Sequence, residues 1–437
     1  MISRNPHTRK PRLSPPVRRT RRRWRVPPAI THGDEAFEGA AILDEVQGRL
    51  GLVLWQSVRD VSLWASAPED RRTELFAAGA EERRRSFIRA GAAEPALESA
   101  LLEVSELLGN PHALNGELTA RACLQVAQWA DDRGSTATAL AFAQSAAFAA
   151  PFDAATAYTV ARLARRRAEH ARAESWFRRT VALARQTGDW NAYSLAFLGL
   201  GNLYMQRGNY PAARRFYVRA LRAARRHALH SAAGMTYHDL FVLATLTGRV
   251  DEAERFARGA YDEYGSDHPR LPALAHDVGF FWMEQGYHAR ALPIFRALLP
   301  HLTRSAERPV VLANIARAAG AVGDRALFDD AWIQVREGVD DGEAREGAAE
   351  ALVELARGAA SLADWERAEA AAARALEVAV ERGEAKARLS AETVLESVRG
   401  RTATEASPAP GREAAADEAD ALAAELVRSL SQASAAG

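Results

Sequence analysis

The sequence has one cysteine, two lysines, no acid in its first 33 residues and no long apolar run. Each absence removes a class of protein. A single Cys123 excludes an internal disulfide framework and suits a reducing compartment. No apolar stretch approaches the roughly 18 residues that span a bilayer. The tripeptide Gly199-Leu200-Gly201 lacks a third glycine at the dinucleotide-binding spacing and lacks a preceding strand. The chain also contains no Gly-Lys-Ser/Thr phosphate loop and no Gly-x-Ser-x-Gly elbow. Nucleotide-dependent and α/β-hydrolase chemistry therefore have no support. The pair Arg18-Arg19 could open an export signal, but Pro27-Pro28 and the polar run Thr31 to Glu35 stand where an apolar segment is required. A cytoplasmic protein is expected.

What is present is helix-forming. The apolar fraction is 48%, dominated by Ala and Leu rather than Val and Ile. The net charge of +1 conceals ten bases before Asp34, which leaves 47 bases against 56 acids in the remainder. Residues 1–33, rich in Pro and Arg, are expected to be a disordered basic tail capable of nonspecific contact with nucleic acid phosphates. Residues 34–115 read as a leading helical region, with Leu50, Val53, Leu54, Val58, Val61 and Leu63 at helical spacing and Trp55 and Trp64 among them. Residues 400–437 read as a Pro-containing linker followed by an acidic helix or tail, with Leu422, Leu426, Val427 and Leu430 on one face.

Between these segments, residues 116–399 repeat. A helix with small residues on one face ends near Gly or Ala, a short turn follows, and a second helix starts around an anchoring residue. The anchors are Ala139, Ala173, Ala213, Ala253, Ala291, Phe328 and Ala368, separated by 34, 40, 40, 38, 37 and 40 residues. The stretch from Leu198 to Leu221 is the clearest copy. Leu200, Gly201 and Tyr204 fall in its first helix, Gly208-Asn209-Tyr210 in its turn, and Ala213, Tyr217 and Ala220 in its second helix. Residues at these spacings resemble the tetratricopeptide repeat. The longer units are similar to those of bacterial regulatory members such as peptide sensors. The resemblance implies an all-α, right-handed superhelical solenoid of about seven helix-turn-helix repeats, in which small residues let helices approach and large ones fill the seams. Two copies depart from the pattern. Phe328 stands where alanine is expected, and Pro293 should delay or kink its helix.

The candidate chemistry is contact rather than catalysis. In the repeat register, the first helices should present Gln125, Gln128, Tyr158, Arg162, Arg165, Asn202, Gln206, His238, Asp239, His276, Asp277, Asn314, Arg317 and Arg357 to a concave groove. The dipeptides His238-Asp239 and His276-Asp277 admit three readings: ligand contacts, solvated helix surface, or part of a metal-dependent phosphohydrolase site needing further ligands. The first is preferred, and no metal or cofactor is expected. Cys123 falls at an apolar position and reads as a structural thiol. The expected function is noncatalytic binding of another protein or peptide, with an acidic partner favoured by the groove arginines. The alternative is a peptide-sensing regulator whose basic tail or leading helices act on nucleic acid or another regulator.

Overall fold

The computed structural model describes residues 39–92, 94–112, 116–302, 307–340, 347–402, 405 and 413–436. The basic tail expected over residues 1–33, with its nucleic acid contacts, lies outside them. Among the described residues there are twenty α-helices and no strand. The chain divides into two compact units, Met1–Ala157 with Arg178–Asp189, and Tyr158–Phe177 with Trp190–Gly437.

The first unit begins with α1 (Ala40–Glu45), α2 (Gly48–Ser66), α3 (Ala80–Gly91) and α4 (Pro95–Ser105), followed by the pair α5 (Gly116–Asp132) and α6 (Thr136–Ala149). The spacing in α2 places Val53, Leu54, Val58, Val61 and Trp64 on one buried stripe. The indole Nε1 of Trp64 donates to the Pro111 carbonyl at 2.9 Å, so the largest apolar group also satisfies its polar atom. Asp60 of α2 pairs with Arg84 of α3, and burial pushes the Asp60 carboxyl up to about 6. Glu45, at the end of α1, accepts from the backbone N–H groups of Ala137 and Thr138 at 2.8 Å each. The carboxylate thus caps the N-terminus of α6, whose own Ser135 makes no side-chain cap.

Helices α7 (Ala154–Arg166) and α8 (His170–Thr187) are shared between the two units. The second unit then holds the pairs α9 (Trp190–Gln206) and α10 (Tyr210–Arg226), α11 (His230–Leu246) and α12 (Val250–Tyr264), and α13 (Leu271–Glu284) and α14 (His288–Leu298). It continues with α15 (Glu307–Val322) and α16 (Arg325–Asp340), α17 (Ala348–Ser361) and α18 (Trp365–Arg382), and ends with α19 (Ala385–Arg399) and α20 (Glu413–Ala436).

One turn is used in all seven pairs. The first helix ends on a residue in the left-handed region: Gly134, Ala168, Gly208, Gly248, Gly286, Gly323 or Ala363, with φ between 57° and 83°. The next residue's N–H reaches back five residues to a carbonyl of the helix just ended, as from Asn209 to Tyr204 and from Asp364 to Ala359, both at 2.9 Å. This is the Schellman closure, which satisfies carbonyls that a helix end would otherwise leave unpaired. Each second helix opens two residues after the left-handed one, and its fourth residue is the anchor read from the sequence. All seven anchors are buried, Phe328 included.

The two irregular copies keep this register. Helix α14 starts on time at His288 and carries Pro293 inside it. The proline has no N–H to give the Ala289 carbonyl, and the helix gives way to a 3₁₀ turn after Leu298. Phe328 takes the place alanine holds elsewhere and packs beside Trp332, ring centroids 5.6 Å apart.

The glycines of the first helices work by contact. A Cβ at Gly199 would lie 2.2 Å from the Phe177 ring, and one at Gly201 would lie 2.2 Å from the Tyr217 ring. A Cβ at Gly320 would lie 2.3 Å from the Gly358 carbonyl oxygen, so α15 and α17 touch backbone to backbone.

Candidate binding face on the first helices

Consecutive first helices of the second unit carry hydrogen-bonded groups of polar side chains. The Tyr217 hydroxyl donates to Asn202 Oδ1 at 2.5 Å, and Asn202 favours the charged form of Asp239. A longer series begins at Tyr264, whose hydroxyl lies 3.5 Å from His238 Nδ1. His238 Nε2 lies 3.0 Å from Asp277 Oδ2, His276 Nδ1 lies 3.2 Å from Asp277 Oδ1, and Asn314 Nδ2 lies 3.4 Å from His276 Nε2.

The partners assign the tautomers. An ionised Asp277 only accepts, so His238 carries its proton on Nε2 and His276 carries its proton on Nδ1. The remaining nitrogens face the Tyr264 hydroxyl and the Asn314 amide. Each ring nitrogen of both imidazoles thus faces a polar partner within the face. Among the described residues, no group of three or more His, Cys, Asp or Glu is placed to hold a metal ion.

The electrostatics differ from residue to residue. Burial opposes the Asp277 charge, but hydrogen bonds from His238 and His276 outweigh it and hold the carboxyl down to about 2. The Asp277 side chain is nevertheless 41% exposed, since protein atoms surround it while its open side still meets solvent. Asp239 goes the other way: burial raises its carboxyl, against the opposing pull of His238, Asn202, Arg270 and Arg165. Burial likewise raises the Tyr158 and Tyr217 hydroxyls, takes the Tyr264 hydroxyl to about 12, and lowers the Arg165 guanidinium.

Further along, Arg317 of α15 forms a second, tighter cluster. Its side chain is 2% exposed, and every guanidinium nitrogen is engaged. Nη1 donates to Glu284 at 2.5 Å and to Glu354 at 2.7 Å. Nε and Nη2 form a two-pronged contact with Glu405, at 2.9 and 2.8 Å. His288 Nε2 lies 3.3 Å from the same Glu405 carboxylate. Burial works against the arginine's charge, but Glu354, Glu405 and Glu284 together hold it above its usual range. Glu354 responds differently: burial dominates there and raises its carboxyl against the pull of Arg317 and Arg357.

The remaining sequence-derived candidates are dispersed. Gln125 and Gln128 are exposed on α5 in the first unit, where Gln128 bonds Asp132 at 2.6 Å. Gln206 is exposed at the end of α9. Tyr158, Arg162 and Arg165 lie half-buried on the part of α7 in the second unit, close enough to Asp239 for Tyr158 and Arg165 to feel its charge. Arg357, on α17, lies beside Glu354. Cys123 is fully buried, and burial pushes its thiol up to about 12, well outside the range of a reactive thiolate.

Several participants were not among the sequence candidates. Tyr217 and Tyr264 belong to second helices but reach back over Gly201 and Gly234, two small residues that leave room for the rings. Glu284 and Glu354 are acids within apolar runs, a signal that was visible but had no partner to match it. Glu405 lies 88 residues from Arg317 and could not be paired by spacing.

A family model agrees with the repeat reading over one part of the chain. Residues 153–226 match the tetratricopeptide repeat family. Among solved structures, a Rap protein complexed with competence and sporulation factor aligns over 80% of this chain and 98% of its own, at 11% identity and a TM-score of 0.42. A circular tandem repeat protein with novel repeat topology aligns over 87% of this chain and 95% of its own, at 17% identity and a TM-score of 0.16. Both superpose too loosely to bear on function. No curated protein matches the sequence significantly. No helix among the described residues is long and apolar enough to cross a membrane.

Proposed function

We propose, from the premise that this is a chain of tetratricopeptide-type repeats, that it is a noncatalytic binding protein whose first-helix face holds an extended peptide segment of a partner. The observation that carries this reading is the hydrogen-bonded row Tyr264–His238–Asp277–His276–Asn314, which crosses three successive first helices. Its members are fixed by one another, so a ligand meets donors and acceptors whose ordering entropy has already been spent in folding. An extended chain offers alternating N–H and C=O groups to such a row. Asp277 and His276, 41% and 32% exposed, are its accessible members. Arg162, Arg165 and Arg270 supply positive charge at the Asp239 end, favouring acidic side chains on the ligand there.

Selection from a displayed random-peptide library tests this, using the intact chain and an Asp277→Asn/His276→Ala double variant. Peptides enriched by the native chain should fall at least about tenfold in affinity for the variant, the equivalent of about 1.4 kcal/mol. Equal affinity for both chains, or no enrichment on the native one, would remove the first-helix face from consideration.

A further inference from the structure

Helix α20 does not continue the stack; it lies back over helices that precede it by more than a hundred residues. Its residues Ala419, Leu422, Ala423, Leu426 and Leu430 form one buried stripe at helical spacing. Polar contacts flank the stripe. Arg290 Nε donates to Asp420 at 2.6 Å and Arg258 Nη1 to Glu425 at 2.8 Å. The Tyr261 hydroxyl lies 3.0 Å from Ser429 Oγ, and His301 Nε2 donates to the Leu430 carbonyl at 2.8 Å. Arg290 is itself held in place between the Trp282 and Tyr287 rings, 5.2 and 4.7 Å from their centroids. The seat on α12–α14 therefore recognises an amphipathic helix with acids beside its apolar stripe.

The fit is incomplete. A cleft of about 640 Å³ remains between α12, α13 and α20, with an apolar floor that includes Val278, Phe281 and Trp282 and a charged rim that includes Glu254 and Arg255. Alanine at position 419 leaves the apolar floor of that cleft facing water, where a larger apolar side chain would bury it. The helix is joined to the repeats by residues 400–412, and Glu405 in that segment is seated on Arg317.

We propose that the α12–α14 surface is a receptor for acidic amphipathic helices of partner proteins, and that α20 is its resident occupant in cis, displaced when a partner helix binds. The favoured partner carries a large apolar residue where α20 has Ala419, and acids matching Asp420 and Glu425. This surface is separate from the first-helix face and does not depend on peptide binding there. Residues 413–436 contain five acids and one base, against Arg258, Arg290 and His301 on the seat. A segment tethered through a short linker acts at an effective concentration on the order of 1 mM. A free helix that binds the open seat at ~50 µM should therefore bind the closed one roughly twentyfold more weakly.

The test uses the full chain, its Leu422→Asp/Leu426→Asp variant and a fluorescent peptide of residues 413–436. The variant buries two charges if α20 stays down, so α20 leaves while the seat itself is unaltered. The peptide should bind the variant saturably and at least tenfold more tightly than it binds the native chain. The substitution Ala419→Leu in the peptide should tighten binding, and the pair Asp420→Arg/Glu425→Arg should abolish it. Equal affinity for both chains, no binding to the variant, or binding that survives charge reversal overturns the proposal. A native chain that is dimeric while the variant is monomeric also overturns it, because α20 would then be exchanged between copies. Should the variant fail to fold, hydrogen exchange on the native chain decides. An excess of the peptide carrying Ala419→Leu must deprotect the α20 amides, and unchanged protection refutes displacement.

Discussion

Replacing Arg317 by Met keeps most of the stem's volume and removes the cation from between three carboxylates. The consequence is set by what each acid can do afterwards. Glu284 is 43% exposed and turns toward water at little cost. Glu405 lies between α19 and α20, outside either helix. Glu354 has no such escape, being within α17 with its side chain 13% exposed and its carboxyl already raised by burial. Removing one member of a buried pair costs about 3–5 kcal/mol, chiefly because the survivor stays buried and charged. A loss of about 3–4 kcal/mol in unfolding free energy is expected near pH 8.

Acidification should shrink that loss. A carboxyl whose folded pKa lies above its unfolded value contributes stability that is present below the unfolded value and lost as pH rises through the folded one. Without Arg317, Glu354 loses the cation that opposed its burial, so its pKa rises further. The variant then recovers relative to the native chain as pH falls from 8 to 5. Urea unfolding followed by circular dichroism at both pH values measures this directly, with Glu354→Gln added to the variant as the control. The added substitution should restore more than half of the deficit at pH 8. A deficit under about 1 kcal/mol, or one that ignores both pH and Glu354→Gln, refutes the claim that Arg317 serves as a buried counter-charge.

Two further expectations concern the scaffold. The Asp60 carboxyl, raised by burial to about 6, contributes stability that is full below about pH 4 and lost as pH rises through 6. A shift of that size is worth about 3 kcal/mol, so Asp60→Asn should flatten the unfolding free energy between pH 4 and 7 by that order; an unchanged slope contradicts it. Gly201→Ala sets a methyl 2.2 Å from the Tyr217 ring, which is fully buried and bonded to Asn202. A cost of about 1–3 kcal/mol follows from overpacking, and it should fall markedly in a Tyr217→Ala background if the clash is its cause.

The repeats were legible because their period is written in residue types that have local reasons to be there. Glycine or alanine at the left-handed turn, a small residue at the anchor and glycine under an aromatic ring each answer a steric demand within some forty residues. That is why the register held through Pro293 and Phe328, the two places where residue type alone suggested a fault. Partnership was less legible. Arginine at 317 looked like a groove contact by its position in the repeat, and nothing nearby revealed that Glu405 would close over it. Helix α20 showed its apolar stripe plainly, but its partner surface is assembled from α12 and α14, which the sequence keeps far from it. Contacts across such separations depend on the path of the chain in space, which period and propensity do not encode.

One register position shows how neighbours decide what a repeated polar residue becomes. Asp239, Asp277, Asn314 and Glu354 each stand fourteen residues before their anchor. Two histidines keep Asp277 ionised, and its carboxylate still meets solvent. Asp239 is less welcoming to charge: burial raises its carboxyl against the pull of His238, Asn202, Arg270 and Arg165. Asn314 is buried and spends its amide on His276. Glu354 is committed to Arg317 and would expose a costly charge if that pair were broken. The same position thus passes from accessible to locked between α13 and α17. A ligand arriving at the first-helix face gains most where polar groups are fixed but still reach solvent, and least where each is already consumed by another. The weight of the proposed binding therefore falls on His276 and Asp277, with Arg317 acting on the fold instead.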